Sequence, residues 1–130
     1  MDVIINKAQT IERCTKRIQE EYGNNPENLN NFTKQDSIIL NIQRACEACI
    51  DIAMYIISEK GWGIPQNSRD AFDILYQNHV IDDGFVLKLK SMVGFRNIAI
   101  HDYQAVNLVV VRKIIEEHLN DFQEFAQLAL

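Results

Sequence analysis

The sequence predicts an all-α fold, a bundle of four long helices and one short helix. Three observations predict it. Apolar residues recur at steps of three, four and seven along most of the chain. The two prolines and five glycines fall almost entirely where those periodic stretches end. A β protein needs a turn about every eight to twelve residues, which so few breakers do not supply.

The first helix covers Asp2 to Tyr22, with Ile4, Ala8, Ile11, Thr15, Ile18 and Tyr22 on one stripe. Gly23-Asn24-Asn25-Pro26 ends it. The second opens near Thr33, with Asp36 three residues on in a near-capping-box spacing, and runs to about Lys60. Ile38, Ile42, Cys46, Cys49, Ala53 and Ile57 are part of an apolar surface that covers most of its girth. Such a helix packs on more than one neighbour. Gly61-Trp62-Gly63-Ile64-Pro65 is the break. Ser68 can cap the short third helix, which runs through His79 with Phe72, Leu75 and Tyr76 inward. Asp82 or Asp83 can cap a fourth that begins near Phe85 and carries Leu87, Leu89, Met92, Val93 and Phe95. The last spans roughly Ala105 to Ala129, on a stripe of Leu108, Val111, Ile115, Leu119, Phe122 and Ala126. Leu108-Val109-Val110-Val111 reads locally as a strand, but the helical period continues well beyond it, and length decides.

The 130 residues make one domain, 1–130, with enough length for a real core. The longest apolar run, Ile52 to Ile57, is six residues. A membrane span needs about twenty, so no membrane association is expected. The first residues lack the basic and apolar regions of a signal peptide, and a cytoplasmic protein is expected. Thirteen Lys and Arg against eighteen Asp and Glu give a net charge of −5. On bulk charge this is a poor nucleic-acid binder, and no DNA partner is expected; any basic site must be local. Three cysteines make no disulfide framework. Cys46-Glu47-Ala48-Cys49 lies inside the apolar second helix, without the second ligand pair zinc wants or the preceding strand of a redox motif, and reads as buried core. His79 suits a helix C-terminus, and His118 sits among Glu116 and Glu117. No metal site and no cofactor are expected. Asp51, in the middle of the apolar helix, needs a partner if buried, and Arg96 or Arg44 is the candidate.

The informative stretch runs from Met92 to Tyr103 and gathers Arg96, Asn97, His101 and Tyr103. Arginine is permanently cationic, with a planar fork that suits phosphate. Histidine exchanges a proton near neutral pH. The two are the minimum for metal-free cleavage of RNA. The histidine activates the 2′-hydroxyl or protonates the leaving oxygen, and the arginine stabilises the in-line transition state. Geometry restrains this reading. Five residues along a continuous helix turn about 500°, roughly 140° past a full circle. Arg96 and His101 share a site only if the helix ends or bends between them, or if two chains pair. From spacing alone, a surface arginine and a C-terminal-turn histidine is the simpler account. Lys88, Lys90, Arg112 and Lys113 read as solvated helix charges before they read as RNA-backbone contacts.

This stretch resembles the signature of the HEPN superfamily in its HepT-like toxin branch. The pattern there is Arg, four to six residues, then His, and Arg96 and His101 match it with four between. The branch favours Asn after the arginine and Tyr two past the histidine, matched by Asn97 and Tyr103. Asp51 on the second helix, Gly63-Ile64-Pro65 and the helix start at Ser68 to Phe72 extend the resemblance over the whole chain. It implies a metal-independent endoribonuclease toxin of a type II or type VII-like toxin–antitoxin system, acting on tRNA or mRNA as a homodimer. His101 is then the general acid/base and Arg96 the phosphate binder, with Asn97 supporting them. The implied partner is an MNT-type nucleotidyltransferase antitoxin that transfers AMP onto Tyr103. The alternative is a non-enzymatic dimeric HEPN binding module that partners a nucleotidyltransferase.

Overall fold

Helix α1 (Asp2–Tyr22) lies along helix α2 (Phe32–Lys60), with a 3-10 turn at Pro26–Asn30 between them. The pair is antiparallel: Lys7 near the start of α1 meets Asp51 late in α2, while Asn28, just before α2, donates to the carbonyl of Tyr22. The computed structural model describes residues 2–130. Helix α3 (Ser68–Gln77) is the short one, and helix α4 (Asp83–His101) follows. A 3-10 turn at Tyr103–Ala105 leads to the last helix. That helix is built from α5 (Leu108–Lys113), a π-helical turn (Ile114–His118) and α6 (Leu119–Ala129). No strand is present among the described residues, and none of their helices is long and apolar enough to cross a membrane. The expected all-α bundle of four long helices and one short one is what forms.

Helix α2 is the centre. Eleven of its 29 residues are buried, on more than one face, and it packs against α1, α3, α4 and α6. Cys46 and Cys49 are both 2% exposed, and burial raises both thiols above their ordinary range. They fill core, as their place in the apolar helix indicates. The Cys46 thiol also lies 3.5 Å from the carbonyl oxygen of Met92, tying α2 to α4. At the other side of the core, Phe125 meets Phe72 edge-on at 5.6 Å and Phe85 at 6.4 Å between ring centres, so α3, α4 and α6 converge on one aromatic cluster.

The helix ends differ from expectation where two capping residues compete. Asn31, not Thr33, caps α2, its side-chain oxygen accepting from the Lys34 N–H at 3.1 Å. Asn67, not Ser68, caps α3 by accepting from Asp70 at 2.8 Å, which frees the Ser68 hydroxyl for another partner. Helix α3 stops at Gln77. His79 lies beyond it with φ 62, a left-handed residue in the turn rather than a helix-end cation. Of Asp82 and Asp83, Asp82 caps α4, accepting from Phe85 at 2.8 Å, and Asp83 is the first helical residue. The last helix starts at Leu108 because Asn107 caps it there, leaving Ala105 in the preceding turn.

Tyr76, expected inward, is at the surface, as are Leu87 of the fourth helix's apolar set and Asp51, whose expected partner is conditional on burial. Leu87 is 66% exposed and Tyr76 39% exposed. Asp51 is exposed as well and pairs with Lys7 at 2.9 Å rather than with Arg96 or Arg44.

The π turn is pinned on both flanks. The buried Tyr22 hydroxyl at the end of α1 donates to Glu116, which also accepts from Arg112 Nε at 3.2 Å. His118 Nδ1 lies 2.9 Å from Asp121, a buried carboxylate that Lys88 of α4 approaches at 4.0 Å. Burial first, and then the bond to Glu116, pushes the Tyr22 phenol up to about 12 from its ordinary 10.0. A phenol raised on folding stabilises the protein fully below its ordinary value, and that contribution is lost as pH climbs from 10.0 towards about 12. Replacing Tyr22 with Phe should cost about 1 kcal/mol in chemical denaturation at neutral pH. The gap between the two proteins should close as alkaline titration removes the phenol proton. In the aromatic cluster, Phe125→Ala should cost about 3–5 kcal/mol by the same measurement.

Candidate functional site

The residues singled out by the sequence lie along the second half of α4 and just past its end. That helix continues unbroken through Arg96 and Asn97 to His101, its last residue. It neither bends nor ends between Arg96 and His101. Their side chains therefore leave it on different sides, about 140° apart by helical pitch.

Arg96 turns inward, towards α3. It is half-buried, and its Nη2 donates to the Ser68 hydroxyl at 2.9 Å. Its Nε is buried without an acceptor, and no carboxylate among the described residues pairs with the guanidinium. A buried donor without a partner is costly, and such a group is poised for an incoming acceptor. Two grooves meet at Arg96. One, of about 400 Å³, is shared with Lys7, Arg44 and Asp51. The other, of about 650 Å³, lies between α3 and α4 and is bounded by Ser68, Arg69, Lys90 and Asn97. Asn97 is half-buried on the wall of that second groove, beside Arg96. Lys90, read as a solvated charge, is held by Asp73 at 3.0 Å across the same groove.

His101 is exposed at the C-terminal turn of α4. Asp102 then leaves the helix (φ −151, ψ 65) while its N–H still bonds the Ile98 carbonyl at 2.8 Å. Tyr103 opens the next turn, and its hydroxyl donates to Asp36 in the first turns of α2. Partial burial, and then the bond and charge of Asp36, push the phenol up to about 12. At neutral pH Tyr103 is thus a protonated hydroxyl, 41% exposed, with a carboxylate at its proton.

Sequence reasoning missed both partners. Ser68 and Asp36 were read as helix-start residues, and each instead reaches a motif residue, 28 and 67 positions away in the chain. No local spacing signals either contact. Among the described residues, no three His, Cys, Asp or Glu side chains come together as a metal ion would require. A further depression of about 890 Å³, around His79, Asp82 and Leu128, contains none of the motif residues.

Comparison with known proteins bears on this arrangement. The family model described as ribonuclease HepT-like matches residues 11–129. The mRNA nuclease HepT of Shewanella oneidensis is 54% identical over 124 residues, spanning 95% of this chain and 93% of that protein. A crystal structure of a toxin–antitoxin with AMP-PNP superposes with a TM-score of 0.94 at 52% identity, covering 98% of this chain and 97% of that one. The tri-AMPylated Shewanella oneidensis HEPN toxin, solved in complex with MNT antitoxin, superposes with a TM-score of 0.93 at 52% identity, covering 98% and 96%. A family match over nearly the whole chain, on the same helical frame that carries Arg96, Asn97, His101 and Tyr103, shows that this chain belongs to the HepT-like ribonuclease family of HEPN proteins.

Proposed function

We propose that residues 1–130 are a single HEPN domain acting as a metal-independent endoribonuclease, the toxin of a toxin–antitoxin pair whose MNT-type nucleotidyltransferase neutralises it. The observation that carries this is the state of the two motif side chains. Arg96 is a half-buried cation with a donor left open, and His101 is an exposed base five residues on along the same unbroken helix. The relatives support the class of activity: one is an mRNA nuclease and another a HEPN toxin in complex with its MNT antitoxin.

The helical pitch favours a site made by two copies. One chain sends Arg96 towards α3 and His101 to solvent. A two-fold pairing about the end of α4 brings both arginines and both histidines to one cleft, and gives a chain of net charge −5 a local positive field. In that cleft one His101 takes the proton of the RNA 2′-hydroxyl, and the 2′-oxygen attacks the adjacent phosphorus in line. The P–O5′ bond breaks, and the second His101 protonates the departing 5′-oxygen. Arg96 meets the charge that builds on the non-bridging oxygens. The product is a 2′,3′-cyclic phosphate, and the nucleophile comes from the substrate.

Tyr103 is the modification site in this reading. Its oxygen attacks the α-phosphorus of ATP on the transferase, pyrophosphate leaves, and the phenolic proton passes to Asp36, which already accepts it in a hydrogen bond. One AMP adds an anion near the RNA path. Like charges about 6 Å apart repel by roughly 3 kcal/mol at an effective dielectric near 20, about a hundredfold in affinity before salt screening.

Purified protein should cleave RNA in excess EDTA and leave 2′,3′-cyclic ends, and sedimentation should give the mass of two chains. His101→Ala and Arg96→Ala should each abolish cleavage with helical circular dichroism unchanged. A requirement for Mg²⁺ or 5′-phosphate products would overturn the mechanism, and a monomer cleaving at full rate would overturn the shared cleft. Inactivity of the intact protein on every RNA offered would favour a binding module. Tyr103→Phe should still cleave RNA but gain no AMP from the cognate nucleotidyltransferase and ATP, by mass spectrometry. Asp36→Asn, which keeps an acceptor but loses the base, should gain AMP at least about tenfold more slowly. Full-rate modification of Asp36→Asn would remove Asp36 from this step.

A further inference from the structure

Gly94 is a glycine in the interior of α4, two residues before Arg96, where glycine is unfavourable to the helix and no turn or positive φ calls for it. The side chain of Arg69 supplies a reason for it. A Cβ at position 94 would lie 2.7 Å from Arg69 Nη2, closer than any real contact allows. Arg69 therefore crosses from the first turn of α3 onto α4 through the gap that Gly94 leaves. Its Nε points at the Lys90 carbonyl, at 3.5 Å.

The guanidinium of Arg69 has no carboxylate partner among the described residues and is exposed, and it borders the same groove as Arg96 and Asn97. The acids along that groove are already engaged. Asp73 is bound by Lys90 at 3.0 and 3.2 Å, and Asp70 accepts the Gln66 N–H at 2.8 Å. What the groove offers an incoming group is two arginines without a carboxylate partner, one on each wall.

We propose that the groove between α3 and α4 is the path of the single-stranded RNA beside the cleavage site, with Arg69 binding a phosphate neighbouring the one held by Arg96, and with Gly94 present to let that guanidinium lie there. The proposal rests on the ribonuclease reading above. A planar, permanently charged fork held over a groove is suited to bidentate phosphate contact, which by itself carries no sequence information.

The test uses a cleavage-dead His101→Ala parent and a fluorescent single-stranded RNA, with affinity followed by anisotropy over a series of salt concentrations. Adding Arg69→Ala should weaken binding about tenfold and flatten the plot of log affinity against log salt by roughly 0.7, the share of one phosphate contact on a single strand. Arg69→Lys should restore most of the slope. Gly94→Ala displaces only the flexible end of Arg69 and favours the helix, so it should match the loss in RNA affinity while its melting temperature holds or rises. That combination is not what a merely structural role produces. Unchanged affinity and slope in Arg69→Ala overturns the proposal while leaving the ribonuclease reading intact. So does a Gly94→Ala protein that binds like its parent, or an Arg69→Ala effect confined to antitoxin association or to the sedimenting mass. A parent that binds no RNA overturns both.

Discussion

Burial of α2 is the constraint on which the rest of this protein depends. Its apolar residues cover too much of its girth for one neighbour to shield, so α1, α3, α4 and α6 must all pack against it. That requirement sets which side of α4 is inward. Leu89, Met92, Val93, Phe95 and Ala99 are buried, and what remains of the helix surface is available for chemistry. Arg96 falls at the edge of the buried side, next to the start of α3, and His101 at the free end. The two motif residues are thus placed first by hydrophobic packing of other residues, with Ser68 then fixing the Arg96 side chain.

Helical pitch then separates the two motif residues within a single chain. A five-residue step is a poor way to make two side chains meet on one helix and a reasonable way to present them to a second copy. The charge distribution points the same way. The chain as a whole is acidic, but the groove beside Arg96 has three cations against two carboxylates, and both carboxylates are occupied by hydrogen bonds or an ion pair. Local field, not net charge, governs what such a surface attracts. Gly94 fits this account as a position where about 1 kcal/mol of helix stability is set aside for the approach of Arg69.

The segment after His101 is held by a different device. Asp102 breaks the helix, and the Tyr103 hydroxyl anchors the following turn to Asp36 at the start of α2. Any group attached to that oxygen removes the donated hydrogen bond, and a phosphate-bearing one sets a new anion beside a carboxylate. In the proposed function the anchor and the modification site are therefore the same atom, adjacent to the end of the helix that carries His101.

Much of this was legible in the sequence. Apolar periodicity, a local property, located five helices, the central role of α2 and the burial of Cys46 and Cys49. Of the two aspartates offered as a cap for α4, Asp82 takes the role, and Gly61 and the residues after it form the expected break. The motif from Arg96 to Tyr103 stood out because its residue types carry recognisable chemistry. Errors came where one-dimensional rules leave near-equal choices. Asn31 and Asn67 outcompeted Thr33 and Ser68 as caps, and Asp51 found Lys7 at the surface instead of Arg96 or Arg44. The π turn at Ile114–His118 leaves no signal in hydrophobic spacing. By itself the sequence determined which segments are helical, most of the residues that form the core and which side chains are chemically able to act, since those follow from local pattern and residue type. Only the tertiary structure decided that Ser68 holds Arg96, that Asp36 holds Tyr103 and that Arg69 lies over Gly94. Each of those contacts joins two helices, and its geometry depends on how they cross, which no local pattern encodes.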